Sequence, residues 1–164
     1  MRAYQKFIDL AEAIPYALLA FVARFAAAVP FWRSGQTKLD GGEFLGVNWN
    51  LFAVKDSKVY LFQYEFGIPE AIAPAAAHLA ALGEFFLPIL LVFGLISRGA
   101  ALGLLAMTAF IQFYVFPEQL LMANGNWSMH LLWAAPLLLV LARGPGAFSL
   151  DALLGGKFGK AKAT

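Results

Sequence analysis

EAIAPAAAHLAALGEFFLPILLVFGLISRGAALGLLAMTAFIQFYVF, residues 70–116, carries only three charged side chains, Glu70, Glu84 and Arg98. A bilayer core about 30 Å thick needs roughly 20 apolar residues as helix. The stretch therefore reads as two spans, about 70–97 and 99–116. The link Ser97-Arg98-Gly99 is so short that the two must be antiparallel neighbours. Working outward, a third span runs from about 15 to 35, with Pro15 suited to a first helical turn. A fourth and shorter one, 127–143, is bounded by Gly125 and Gly144. The expected fold is all-α: one polytopic transmembrane four-helix bundle over residues 1–164.

Composition demands the same solvent. The chain is 61% hydrophobic and 13% charged, with a mean hydropathy of +0.70. A soluble domain of this size carries about 25% charged residues, and too few are present here to cover a water-facing surface. The net charge of +2 gives no reason to expect nucleic acid as a partner; the bilayer is the first partner. The absence of cysteine excludes disulfides, thiolate nucleophiles, thiolate zinc sites and any cysteine-based cluster.

Outside the spans, Phe7, Leu10, Ala11 and Ile14 fall on one helical face opposite Gln5, Asp9 and Glu12. That is the pattern of a short helix lying in the membrane interface. Asp9, Glu12 and Arg24 argue against a cleavable signal peptide. The first loop, about 36–69, is the one long extramembrane piece. Its stretch 57–66 suits strand or helix. Helix is favoured, because Asp56 or Ser57 can cap it, Gly67 can end it and Pro69 follows. Its aromatics, Tyr60, Phe62, Tyr64 and Phe66, suit a lid or an interfacial belt. Residues 152–164 read as a flexible basic tail.

Lys and Arg counts set the orientation. One side carries Arg2, Lys6, Arg98, Arg143, Lys157, Lys160 and Lys162, the other Arg33, Lys38, Lys55 and Lys58. Seven against four places both termini in the cytoplasm and the long loop in the periplasm of a bacterial inner membrane.

Charge inside a span is expensive and needs a reason. Arg24 and Glu84 are expected at similar depth on antiparallel helices, as an ion pair that either fixes register or serves as a proton relay or counter-charge. Nearer the outer face, His78, Gln112, Tyr114 and His130 share a depth and, with Trp133, are expected to line a pocket opening toward the first loop. For each histidine the plain alternative is a side chain bonded to a carbonyl, since metal sites need three or four ligands; no metal is assigned. Gly99-x-x-x-Gly103 and the series Ala73, Ala77, Ala81 are small-residue stripes that permit close helix packing. No phosphate-binding loop, nucleotide fingerprint or nucleophile elbow is present.

Three runs resemble the DoxX family in order and spacing: RFAAAVPFWRSGQTK (24–38), with Arg24, Gly35 and Lys38; EFFLPILLVFGLISR (84–98), with Pro88, Gly94 and Arg98; and ARGPGAFSLD (142–151), with Gly144, Gly146 and Asp151. The resemblance covers about residues 17–151 and implies a four-helix integral membrane protein. It implies little about activity. The family's name comes from the small subunit of a thiosulfate–quinone oxidoreductase, and other members are membrane partners in redox or stress-response assemblies. YLFQYEFGIP (60–69) resembles a subgroup found beside genes for metal-stress peptides. Arg24, Lys38, Glu84 and Arg98 carry over as important positions without a catalytic role.

Three functions follow as expectations. The first is a non-catalytic subunit that anchors or couples a redox or metal-stress assembly through a membrane or soluble protein partner, or as a homo-oligomer. The second is a small-molecule binder or enzyme, with quinone as its cofactor, acting through Arg24, Glu84, His78 and His130. The third, a small-solute transporter, is disfavoured, because four spans are few and no inverted repeat is evident.

Overall fold

The computed structural model describes residues 1–123 and 125–155. Helix α1, Arg2–Glu12, has no buried residue. After Pro15 the chain enters α2, Tyr16–Lys38. A small antiparallel hairpin follows, β1 (Glu43–Phe44) and β2 (Val47–Asn48), with Glu43 opposite Asn48 and Phe44 opposite Val47. Next come α3, Asp56–Tyr60, continued by a π-helical turn at Leu61–Glu65, and α4, Ala73–Phe93. Helix α5, Ser97–Phe110, continues as a second π-helical turn at Ile111–Val115. A 3-10 turn at Pro117–Leu121 leads to α6, Trp127–Arg143, and the short α7, Leu150–Leu153.

Three helical segments, Tyr16–Lys38, Ala73–Phe93 and Ser97–Val115, are long and apolar enough to cross a membrane, and α6 is apolar but shorter, at 17 residues. Helix α2 packs on α4 and α6, and α5 packs on the same two, so the four close into a ring with α2 and α5 at opposite corners. Small residues make the approach close. Ala20, Ala27 and Ala101 have no exposed surface, and Leu91, Leu104, Leu137 and Val140 fill the space between the helices.

The expected stripes do pack. Ala73 and Ala77 lie under Phe62, and Ala81 lies with Leu39 and Phe85. A Cβ on Gly103 would stand 2.8 Å from Leu87 Cδ1, which is why α5 can press so closely on α4.

The first loop is helical where its sequence was ambiguous. Side chains four apart meet, Tyr60 on Tyr64 with ring centroids 6.0 Å apart and Phe62 on Phe66 at 4.9 Å, a pairing that a strand does not make. Gly67, at φ +66°, lies just beyond the helix end as expected. The cap differs: neither Asp56 nor Ser57 closes the N-terminus, and Lys55 occupies the cap position without a side-chain bond. The hairpin of β1 and β2 departs from the all-α expectation. At the other end, α7 takes up the start of the segment read as a flexible tail, and residues 156–164 lie outside the described residues.

Gly35 sets the register of α2 on α4. A Cβ there would lie 3.0 Å from the Cβ, C and O atoms of Glu84, and backbone cannot withdraw as a side-chain tip can. Gly35→Ala is therefore expected to destabilise by roughly 1–2 kcal/mol net, the overpacking outweighing the gain in helix propensity. Gly83→Ala on α4, where an added Cβ faces the flexible Met107 of α5 and meets nothing closer than 3.4 Å, should be neutral or stabilising. Unfolding midpoints in mixed micelles compare the two.

Candidate functional site

The motif residues assemble at the end of the bundle where α4 turns into α5. Arg24, with no exposed surface, donates from Nη1 to the carbonyls of Leu91 at 3.3 Å and Val92 at 2.8 Å, and from Nη2 to the carbonyl of Phe148. One guanidinium thus ties α2 to the last turn of α4 and to the segment leading into α7. A helix leaves its last four carbonyls without intrahelical donors, and a cation there also suits the helix dipole. Arg24 serves both needs.

Asp151 performs the converse service for α5. Its Oδ1 accepts from Ile96 N at 2.8 Å, and its Oδ2 accepts from Ser97 N at 2.9 Å and Ser97 Oγ at 2.7 Å. Its own amide donates to the carbonyl of Gly94 at 2.8 Å. Ile96 has φ +49°, a conformation costly for a β-branched residue, and the carboxylate holds it there. Around this clamp, Gly146 sits so close to α2 that a Cβ would be 3.0 Å from Ala17 Cα. The Gly144 carbonyl accepts from Tyr16 Oη at 2.7 Å, and the exposed Arg98 donates to the Ala142 carbonyl at 3.4 Å. Asp151→Ala is expected to cost about 1–2 kcal/mol. It should accelerate hydrogen exchange at the Ile96 and Ser97 amides about tenfold while leaving the amides in the middle of α4 unchanged.

Glu84 is paired, but with Lys38. Nζ of Lys38 lies 2.5 Å from Glu84 Oε2 and 2.8 Å from Ser34 Oγ, with both side chains of the pair nearly buried. The expected Arg24–Glu84 pair is not formed, and the register explains why. With Gly35 beside Glu84, the residue eleven positions earlier lies about 16 Å further along the axis at 1.5 Å per residue. That places Arg24 at the far end of α4, beside Leu91 and Val92. Equal depth failed as an assumption because α2 ends beside the middle of α4 rather than at its start.

The expected polar pocket is brought together in part. His130 Nδ1 lies 2.7 Å from Gln112 Oε1, and Gln112 Nε2 donates to the Phe116 carbonyl at 3.2 Å. Trp133 packs edge-on against His130 with ring centroids 5.3 Å apart. Gln112 belongs to the second π-helical turn, a local widening found often at functional sites. Beside it a half-open cleft of about 170 Å³ runs between α5 and α6, lined by Thr108, Trp127 and Leu131 among others. Tyr114 does not join; it is exposed and stacks on Phe110 at 4.9 Å. Nor does His78, half-buried on α4, the helix diagonal to α6 in the ring. Among the described residues no group of three or more His, Asp or Glu is placed to hold a metal ion.

The DoxX family model matches residues 19–117. The chain belongs to the DoxX family. The match takes in Arg24, Gly35, Lys38, Glu84 and Arg98 and stops short of Gly144, Gly146 and Asp151. This DoxX protein is similar to an uncharacterized protein of Haemophilus influenzae, 28% identical over 136 residues, or 81% of each chain. No solved structure matches it.

The partners of two residues, Lys38 and Asp151, escaped sequence reading in this DoxX membrane protein. Lys38 was marked by resemblance alone, and its partner depends on an interhelical register that spacing along one helix cannot supply. Ser149, which caps α7 by accepting from Ala152 N at 3.1 Å, and Asp151 were visible as a closing motif. That Asp151 caps a helix 54 residues upstream had no local signal.

Proposed function

We propose that this DoxX protein is a non-catalytic subunit of the bacterial inner membrane, crossing it four times with both termini in the cytoplasm. It anchors or couples a redox or metal-stress assembly. One observation carries this reading: the charged motif groups are engaged in holding the bundle. Arg24 is bound to three carbonyls and Asp151 to two amides and a hydroxyl, while Lys38 and Glu84 face each other. Groups so engaged act as struts of a rigid scaffold. The class of assembly comes from the family resemblance, and the loop carrying YLFQYEFGIP is the surface offered on the periplasmic side.

The test is crosslinking of the tagged chain in its native membrane, followed by mass spectrometry of what co-purifies. A reproducible partner with a redox or metal-handling fold is the expected result. Recovery of the chain alone, from crosslinked and mildly solubilised membranes, would remove the proposal.

A further inference from the structure

His130, a largely buried ring of the bundle, has one nitrogen without a partner among the described residues. A carbonyl only accepts, so the bond from Gln112 to the Phe116 carbonyl settles which end of the amide is nitrogen. The other end, Oε1, also only accepts, and it faces His130 Nδ1 at 2.7 Å. Nδ1 therefore carries the proton, and in the neutral ring Nε2 keeps a bare lone pair. Among the described residues no carboxylate bonds the ring, and an unpaired imidazolium in such a place is costly, which favours the neutral ring. His130 is 7% exposed, and Nε2 has no hydrogen-bond partner among the described residues.

The cleft bordering this ring has about 170 Å³ of room, close to the roughly 150 Å³ cavity that takes up a benzene molecule. Its walls are apolar apart from Thr108, Gln112, His130 and the indole N–H of Trp127; Thr108 Oγ1 already donates to the Leu104 carbonyl at 2.8 Å and Trp127 Nε1 to the Met122 carbonyl at 3.2 Å. Phe113 and Leu131, 65% and 57% exposed, stand at its mouth on the outside of the bundle. A water needs two to four polar partners and is poorly held here. A quinone carbonyl does not fit either, because it would set a lone pair against the lone pair of Nε2.

We infer that the α5–α6 cleft binds a single aromatic ring bearing a hydroxyl group, which enters between Phe113 and Leu131 and donates its O–H to His130 Nε2. Gln112 is the positioning residue: it holds the tautomer that makes Nε2 an acceptor. The ring has two sources, the hydroxylated headgroup of a molecule resident in the bilayer or a free phenol.

The chain has only two histidines, so nitrogen-15 labelling of the imidazoles in the full-length protein in nanodiscs reads the site directly, with His78→Gln assigning the signals. Without ligand, His130 Nδ1 should show a proton and Nε2 none. Phenol should move the Nε2 signal saturably, and anisole, the same ring without the donor, should bind about tenfold more weakly. Tighter binding of 4-dodecylphenol than of phenol would assign the bilayer as source; equal or weaker binding would assign a free phenol. Gln112→Leu should weaken phenol and leave anisole unchanged. A protonated Nε2 at rest, equal binding of phenol and anisole, or no saturable response to either phenol would each overturn the inference.

Discussion

Arg24→Leu is expected to destabilise the bundle by about 3 kcal/mol or more, because each hydrogen bond to a charged group is worth roughly 1.5–3 kcal/mol and Arg24 makes three. The loss should be visible twice. The unfolding midpoint in mixed micelles falls, and the segment 144–151 becomes open to limited proteolysis, since its tie through the Phe148 carbonyl is gone. Arg24→Lys should recover only a fraction. A single ammonium cannot reach the carbonyls of α4 from one nitrogen and that of Phe148 from another, as the planar guanidinium does. If lysine restored full stability and protection, charge alone would be the requirement and the clamp geometry would be irrelevant.

The second large effect is expected at Lys38. Lys38→Met leaves the Glu84 carboxylate buried without a partner, and breaking a buried pair in this way costs about 3–5 kcal/mol. The remedy is distinctive. Replacing both members, Lys38→Met with Glu84→Leu, should return most of that stability, because apolar residues of similar size remove the uncompensated charge as well as the attraction. A double variant as unstable as Lys38→Met alone would show that Lys38 is needed for something other than Glu84.

Much of the bundle was legible because the physics concerned is local. Apolar length placed the helices, the three-residue link at Ser97-Arg98-Gly99 made α4 and α5 neighbours, and Gly67 with Pro69 ended the loop helix. Burial of Ala73, Ala77 and Ala81 followed from their i, i+4 spacing. The site was less legible because it depends on offsets between helices. Counting inward from assumed membrane boundaries put Arg24 and Glu84 at one depth. In the observed register Gly35 lies against Glu84, which puts Arg24 about three turns away. His78 and His130 were grouped by depth, yet they stand on diagonal helices. Gln112 and His130 were grouped by the same reasoning and do meet, because α5 and α6 are adjacent.

The scaffold role of the motif charges rests on who pairs with whom, and a pair of double-mutant cycles measures that. One cycle combines Lys38→Met with Glu84→Leu, the other Arg24→Leu with Glu84→Leu, each scored by reversible unfolding in the same micelles. Contacting residues couple by about 0.5–3 kcal/mol, whereas separate ones add within about 0.5 kcal/mol. Strong coupling of Lys38 to Glu84 with near-additivity of Arg24 and Glu84 is the expected result. Strong coupling of Arg24 to Glu84, with none between Lys38 and Glu84, would contradict it and restore an intramembrane arginine–glutamate pair as the centre of the molecule.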